Sequence, residues 1–137
     1  MMRRLAWVFL LLFVSEGCSV ERSELPGRYR ANYAFGSDEI ELRSDGTFTQ
    51  TADATIGGVK KTATLSGAWA IEAPEGSFGE RLRLKPMLWV DNGVGQPHPN
   101  FGAVGAGGGI MSFGREWGFG RLYLGGGGEH PHRRLDK

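Results

Sequence analysis

The sequence predicts an all-β protein. It reads as a single antiparallel β-meander closing into a small or half-open barrel, followed by a glycine-rich C-terminal part. Three observations carry this. Short segments alternate apolar and polar residues with period two, and their aromatics gather on one face. Gly-Ser-Asp, Asp-Gly and Gly-Gly punctuate these segments at short intervals. No segment shows a helical apolar period with caps. Links this short leave no room for parallel crossovers, so neighbouring strands run antiparallel.

The chain begins with a basic residues 1–4 segment and an unbroken apolar run at 5–14, LAWVFLLLFV. A membrane-spanning helix takes about 20 apolar residues, so this run is too short. A basic start, a short apolar core and small residues before a cut define an export signal rather than a buried helix. Residues 1–17 read as that signal. Cys18 is the only cysteine, so it has no disulfide partner within the chain. Gly17 followed by Cys18 resembles the lipobox of bacterial lipoproteins, with Ser15 and Glu16 atypical for that family. The resemblance implies lipidation at Cys18, a membrane anchor, and a place in the bacterial cell envelope. Ser19 after the cysteine leans it towards the outer membrane, facing the periplasm. An ordinary signal peptidase cutting the same bond would instead release the chain unlipidated.

Residues 18–24 read as a polar tether and 25–124 as the domain. Residues 28–35 place Tyr29, Ala31, Tyr33 and Phe35 on one face, and Gly36-Ser37-Asp38 reads as a turn. Residues 39–43 place Ile40 and Leu42 opposite Glu39, Glu41 and Arg43. Ser44-Asp45-Gly46 reads as a hairpin turn, since Asp-Gly supplies positive φ. Residues 47–56 form the next strand with Phe48, and Gly57-Gly58 turn the chain again. Residues 59–71 place Ala63, Leu65, Trp69 and Ile71 together, with Gly67 marking a bulge or a close backbone approach. Residues 80–90 alternate Leu82 and Leu84 against Arg81, Arg83 and Lys85. "LPGRY", "SDGTF" and "LSGAW" within residues 25–85 resemble small bacterial lipoproteins with a lipocalin-like β-meander. That resemblance implies a barrel and a non-catalytic binding role.

The C-terminal part is dominated by glycine; most of the 23 glycines fall from Gly93 onwards. Residues 92–109 read as a long mobile loop, 118–124 as one more strand beside the meander, and 125–137 as a disordered tail. "GAVGAGGGIM" lacks the Lys-Ser/Thr pair of a phosphate loop and any βαβ setting.

Charge and chemistry narrow the function. The chain has 16 basic and 15 acidic residues, and removing 1–17 takes away Arg3, Arg4 and Glu16, leaving the two signs balanced. No field remains to steer nucleic acid, and none is expected as a partner. No nucleophile with a paired base is visible, so no enzyme is expected. Asp38, Glu39 and Glu41 read as a solvated acidic strand face, and Arg81, Arg83 and Lys85 as a solvated basic one. His98, His130 and His132 are the only histidines. With Glu129 they suggest a weak transition-metal site, but solvated histidines in a tail are the simpler reading, so no metal or cofactor is assigned. The candidate ligand-binding residues are Tyr29, Tyr33, Phe48 and Trp69, lining a cavity for a small apolar molecule. The alternative is a protein-interaction or structural module that shows Trp89, Trp117 and Phe119 to an envelope partner.

Overall fold

The computed structural model describes residues 20–73, 79–116, 120–125 and 130–136. The signal at 1–17, Cys18, Glu129, Trp117 and Phe119 lie outside the described residues. Five strands follow one another as a meander: β1 (Gly27–Tyr33), β2 (Gly36–Leu42), β3 (Thr47–Ile56), β4 (Val59–Glu72) and β5 (Arg81–Lys85). Then come β6 (Met87–Leu88), β7 (Val104–Gly105), β8 (Gly109–Met111), β9 (Phe113–Arg115), β10 (Leu122–Leu124) and β11 (His132–Arg134). Nine of these strands form one sheet in the order β8-β5-β4-β3-β2-β1-β11-β10-β9. Every ladder in it is antiparallel.

The two edges of this sheet, β8 and β9, are separated in the chain by Ser112 alone. One extended segment therefore pairs with β5 through its first half and with β10 through its second. The sheet is nearly closed into a barrel, with one unsealed seam where that segment changes partner. Apart from the β6–β7 excursion, neighbours round the barrel are neighbours in the chain, and β11 closes the circuit against β1.

Local chemistry explains the turns. Asp45 Oδ1 accepts from the Thr47 amide at 2.9 Å and the Thr47 hydroxyl at 2.6 Å, and Gly46 follows with φ +86°. Gly57 and Gly58 have φ +57° and +79°, the pair of positive values that a two-residue hairpin requires. The first turn differs from expectation. It falls at Ala34–Phe35, and Gly36 already belongs to β2. A Cβ on Gly36 would lie 1.9 Å from the Asp53 carbonyl oxygen, so this glycine serves close strand approach rather than turning.

The interior has two apolar clusters. One gathers Leu25, Tyr29, Ile40, Leu42, Phe48, Trp69, Leu82, Leu84, Leu122 and Leu124. It fills the end at the β2–β3 turn. The N-terminal segment covers that end. The Arg22 guanidinium lies 4.5 Å from the centre of the Trp69 ring, and the Tyr29 hydroxyl donates to the Leu25 carbonyl at 2.6 Å. Arg134 donates to the Glu24 and Pro26 carbonyls at 2.7 and 3.0 Å, and Arg115 pairs with Glu24. Within the expected tether 18–24, Val20 packs on this cluster, and Arg22 and Glu24 are held by Trp69 and Arg115, while Glu21 and Ser23 are exposed. The second cluster, Ala52, Leu88 and Val90 with Tyr33, Phe35, Ala63, Leu65 and Phe101, lies towards the end at the β1–β2 and β3–β4 turns.

Residues 86–108 leave the sheet between β5 and β8. Pro86 has no amide hydrogen to continue the β5 ladder. The chain leaves the sheet there, and Leu88 turns inward to pack on the upper part of β3 and β4. Gly67 makes room for the departure, because a Cβ on it would lie 2.5 Å from the Lys85 carbonyl oxygen and 2.8 Å from the Phe48 ring. The close approach expected at Gly67 is present. Residues 92–109, expected to be a mobile loop, are instead held by the β6–β7 ladder, an Asp91–Pro97 bridge and the Trp89–Ala103 backbone bond. Within 125–137, expected to be a disordered tail, His132–Arg134 form the strand that seals β1. β10 lies between β9 and β11 rather than beside the meander.

On the outside, Glu39 pairs with Arg28 at 2.5 Å and Arg30 at 2.7 Å, and Glu72 pairs with Arg83 at 2.5 Å. These are solvated strand faces. Asp38, expected on the solvated acidic face, is the exception: it shares the inward parity of Ile40 and Leu42 and is 2 % exposed.

Candidate functional site

The site is a cavity of about 650 Å³ between the 87–95 segment and the wall that carries β1, β2, β8 and β11. Met87, Leu88, Val90 and Met111 give it apolar walls, and Asp38, His132, His130, Asp91 and Tyr33 bring polar groups to it. Glycines at 93, 95, 105, 108, 109 and 125 line the remainder. At one of them the absence of a side chain is what admits a wall residue: a Cβ on Gly109 would meet the Met87 sulfur at 2.4 Å.

Sheet register assembles the buried polar group. Ala31 stands opposite Asp38, and β11 enters beside β1 with Arg133 opposite Arg30. His132 is therefore two strands from Asp38, with β1 and its small Ala31 side chain between them. Its Nε2 reaches the Asp38 Oδ2 at 2.8 Å. Gln50 Nε2 donates to both Asp38 oxygens at 3.1 Å, and Gln50 Oε1 accepts from the Leu88 amide at 2.8 Å. Asp38 only accepts in this arrangement, so the His132 Nε2 carries a hydrogen. Asp38, Gln50 and His132 are 2 %, 0 % and 5 % exposed. A polar atom buried at this depth is costly without a partner, and these bonds satisfy both Asp38 oxygens, both ends of the Gln50 amide and the His132 Nε2. They also tie β2, β3, β11 and the 87–95 segment to one another.

Nearer the mouth, Tyr33 stacks on Phe35 with centroids 4.9 Å apart and contacts the His130 ring at 5.0 Å. Burial lifts the Tyr33 hydroxyl above the ordinary phenol range, and the Asp91 and Asp38 carboxylates add to it, Asp91 also by hydrogen bonding. Asp91 Oδ2 accepts from the Gly93 amide at 3.1 Å. His130 Nδ1 lies 2.9 Å from the Asn32 carbonyl oxygen. A carbonyl can only accept, so Nδ1 carries the hydrogen and a neutral ring leaves Nε2 as an acceptor. That nitrogen would lie 3.0 Å from a Cβ on Gly95. His98 stacks on Trp89 at 4.9 Å and accepts the Asn100 amide at Nδ1.

Of the residues expected to bind ligand, Tyr33 alone lines this cavity. Tyr29 and Phe48 are fully buried and Trp69 is 3 % exposed, all in the packed cluster at the other end. They are on the expected face of the sheet, but that face is filled where they stand. The Trp69 indole donates to the Arg43 carbonyl at 2.7 Å, and burial pushes the Tyr29 hydroxyl up to about 12. The three histidines have separate partners. Among the described residues, no group of three His, Cys, Asp or Glu side chains could hold a metal ion. Sequence reasoning placed Asp38 on a solvated acidic face and His132 among solvated tail histidines, and it did not bring the 87–95 segment to a cavity. Parity was the available signal for Asp38, an acidic residue in step with Ile40 and Leu42.

Protein-family models, curated proteins and solved structures were each compared with the chain, and none matches it.

Proposed function

We propose that this is an exported binding protein of the bacterial envelope, anchored through a lipid on Cys18, that carries a small and largely apolar molecule without catalysis. The cavity of about 650 Å³ with apolar walls is the observation that carries this reading. It falls in the size range of small-molecule sites. The signal-like residues 1–17 and the lone cysteine behind Gly17 support the address. The test is native mass spectrometry on protein purified from the membrane fraction of a bacterial host expressing the whole chain. The expected species starts at Cys18 and carries covalent acyl mass plus a non-covalent small molecule. A Met111→Trp variant, which fills the cavity, should lose only the small molecule. A chain with neither mass is an unanchored domain and ends this reading.

A second reading has its own observation. Trp89 is 49 % exposed and Val104 56 % exposed where β6 and β7 emerge, which suits contact with another envelope protein. Crosslinking in cells that captures one partner with the parent chain, and loses it with Trp89→Ala, favours this reading over the carrier.

A further inference from the structure

From the polar groups that line the cavity we infer the chemical class of its ligand: a protonated amine on an apolar body. This rests on the small-molecule reading above and sharpens it. Asp38 and Asp91 both line the cavity, and among the described residues no lysine or arginine does. Asp38 has its oxygens engaged by Gln50 and His132, whereas Asp91 is met by the Tyr33 hydroxyl and the Gly93 amide close to the mouth. A carboxylate can take about four hydrogen bonds, so Asp91 keeps accepting capacity. His130 Nδ1 is committed to the Asn32 carbonyl, so in the neutral ring Nε2 is a second acceptor on the Gly95 side of the cavity.

The lining therefore offers acceptors and negative charge to a guest, within apolar walls. Three ligand classes fare differently against it. An anionic head such as a carboxylate would be desolvated beside two aspartates with no lysine or arginine among the described lining residues to offset them. A wholly apolar guest would strip water from Asp91 and His130 Nε2 and return no hydrogen bond. An ammonium head supplies both the charge and the donors that these groups lack, and its body fills the space between Met87, Leu88, Val90 and Met111. A bare metal cation is a poorer fit, because the carboxylates and imidazoles do not converge as a ligand set among the described residues.

The experiment compares three probes with one body and different heads: 2-phenylethylamine, 2-phenylethanol and 3-phenylpropionate. Each is titrated into the full processed protein, followed by calorimetry and ligand-observed NMR, at neutral pH and low salt. The amine should bind about tenfold tighter than the alcohol, and the carboxylate should bind most weakly. Asp91→Asn should reduce amine affinity about fivefold and leave the alcohol within about twofold. Asp91 stands near the mouth and half-buried, so this variant should keep the parent melting temperature. Alcohol or carboxylate binding as tightly as the amine overturns the head-group inference and leaves the carrier reading standing. An amine preference untouched by Asp91→Asn overturns the assignment of the group that reads the head. No binding by any probe overturns both readings together.

Discussion

Gln50 commits both ends of its amide across the barrel interior, to the Asp38 carboxylate on one side and the Leu88 amide on the other. Gln50→Leu keeps the bulk and removes both bonds. A buried donor left without an acceptor costs about 1–3 kcal/mol, so unfolding in urea should show a loss of about 2–4 kcal/mol. Hydrogen exchange at the Leu88 amide should quicken with it. A change below about 0.5 kcal/mol would mean that water replaces the side chain without penalty. Gly67→Ala should cost about 1–3 kcal/mol in the same assay, because its Cβ lands on backbone that cannot move independently. Tyr29 gives a pH dependence. Its hydroxyl is pushed up to about 12 chiefly by burial, whereas an unfolded tyrosine ionises near 10. Below pH 10 both states hold the proton and nothing changes. Between pH 10 and 12 the unfolded state loses it first, so stability should fall by about 1.4 kcal/mol per pH unit over this window. Tyrosinate absorbance from Tyr29 should then appear together with unfolding; smooth titration in the folded state would refute it. Asp38 and Gln50 were legible in principle, since both keep step with apolar neighbours. Their partner His132 was not, because nothing local to it shows where β11 goes.

Strands with several periods and a turn at each end could be read from the sequence, and short ones could not. Residues 47–56 carry five alternations between an Asp-Gly and a Gly-Gly turn, and β3 spans Thr47–Ile56. β4 runs to Glu72, one residue past expectation. By contrast, β6 to β11 have two or three residues each, less than the length over which period two can be recognised. Their pairing is also remote: Tyr29 meets Arg134 across almost the whole chain. The glycines around them point to flexibility when read locally, although tertiary pairing orders several of those segments. This gives β11 a testable role. Ending the chain at Gly125 would uncover the β1 edge and strip His132 from Asp38. Unpaired edges template association, so this shortened chain should form dimers or larger aggregates in size-exclusion chromatography with light scattering. His132→Gln in the full chain should stay monomeric, because the β1–β11 ladder does not depend on the imidazole. A monomeric shortened chain would show that β11 is dispensable for closure.

The two ends of the barrel differ, and with the proposed anchor at Cys18 the difference would set how the molecule sits on a bilayer. Val20 packs on the cluster at the β2–β3 end, and Arg22, Glu24 and Pro26 are fixed there by Trp69, Arg115 and Arg134. An acylated Cys18 would leave Ser19 as the only residue between the lipid and this packed segment. Two residues of extended chain reach about 7 Å, too little to let the barrel turn over. The β2–β3 end would therefore lie against the lipid, and the β3–β4 hairpin would point away from it. The cavity, built on the 87–95 segment, would open to the aqueous side, as suits a carrier that exchanges its cargo with soluble partners. Spin labels on Asp45→Cys and Lys60→Cys variants probe the two ends, both at exposed positions. In vesicles, a lipid-soluble relaxation agent should act on the label at position 45 well above the one at 60, and a water-soluble agent should reverse that order. Equal relaxation at both positions would show that the barrel tumbles freely on its anchor. The opposite order would turn the cavity towards the membrane and make lipid, rather than the aqueous phase, the source of its ligand.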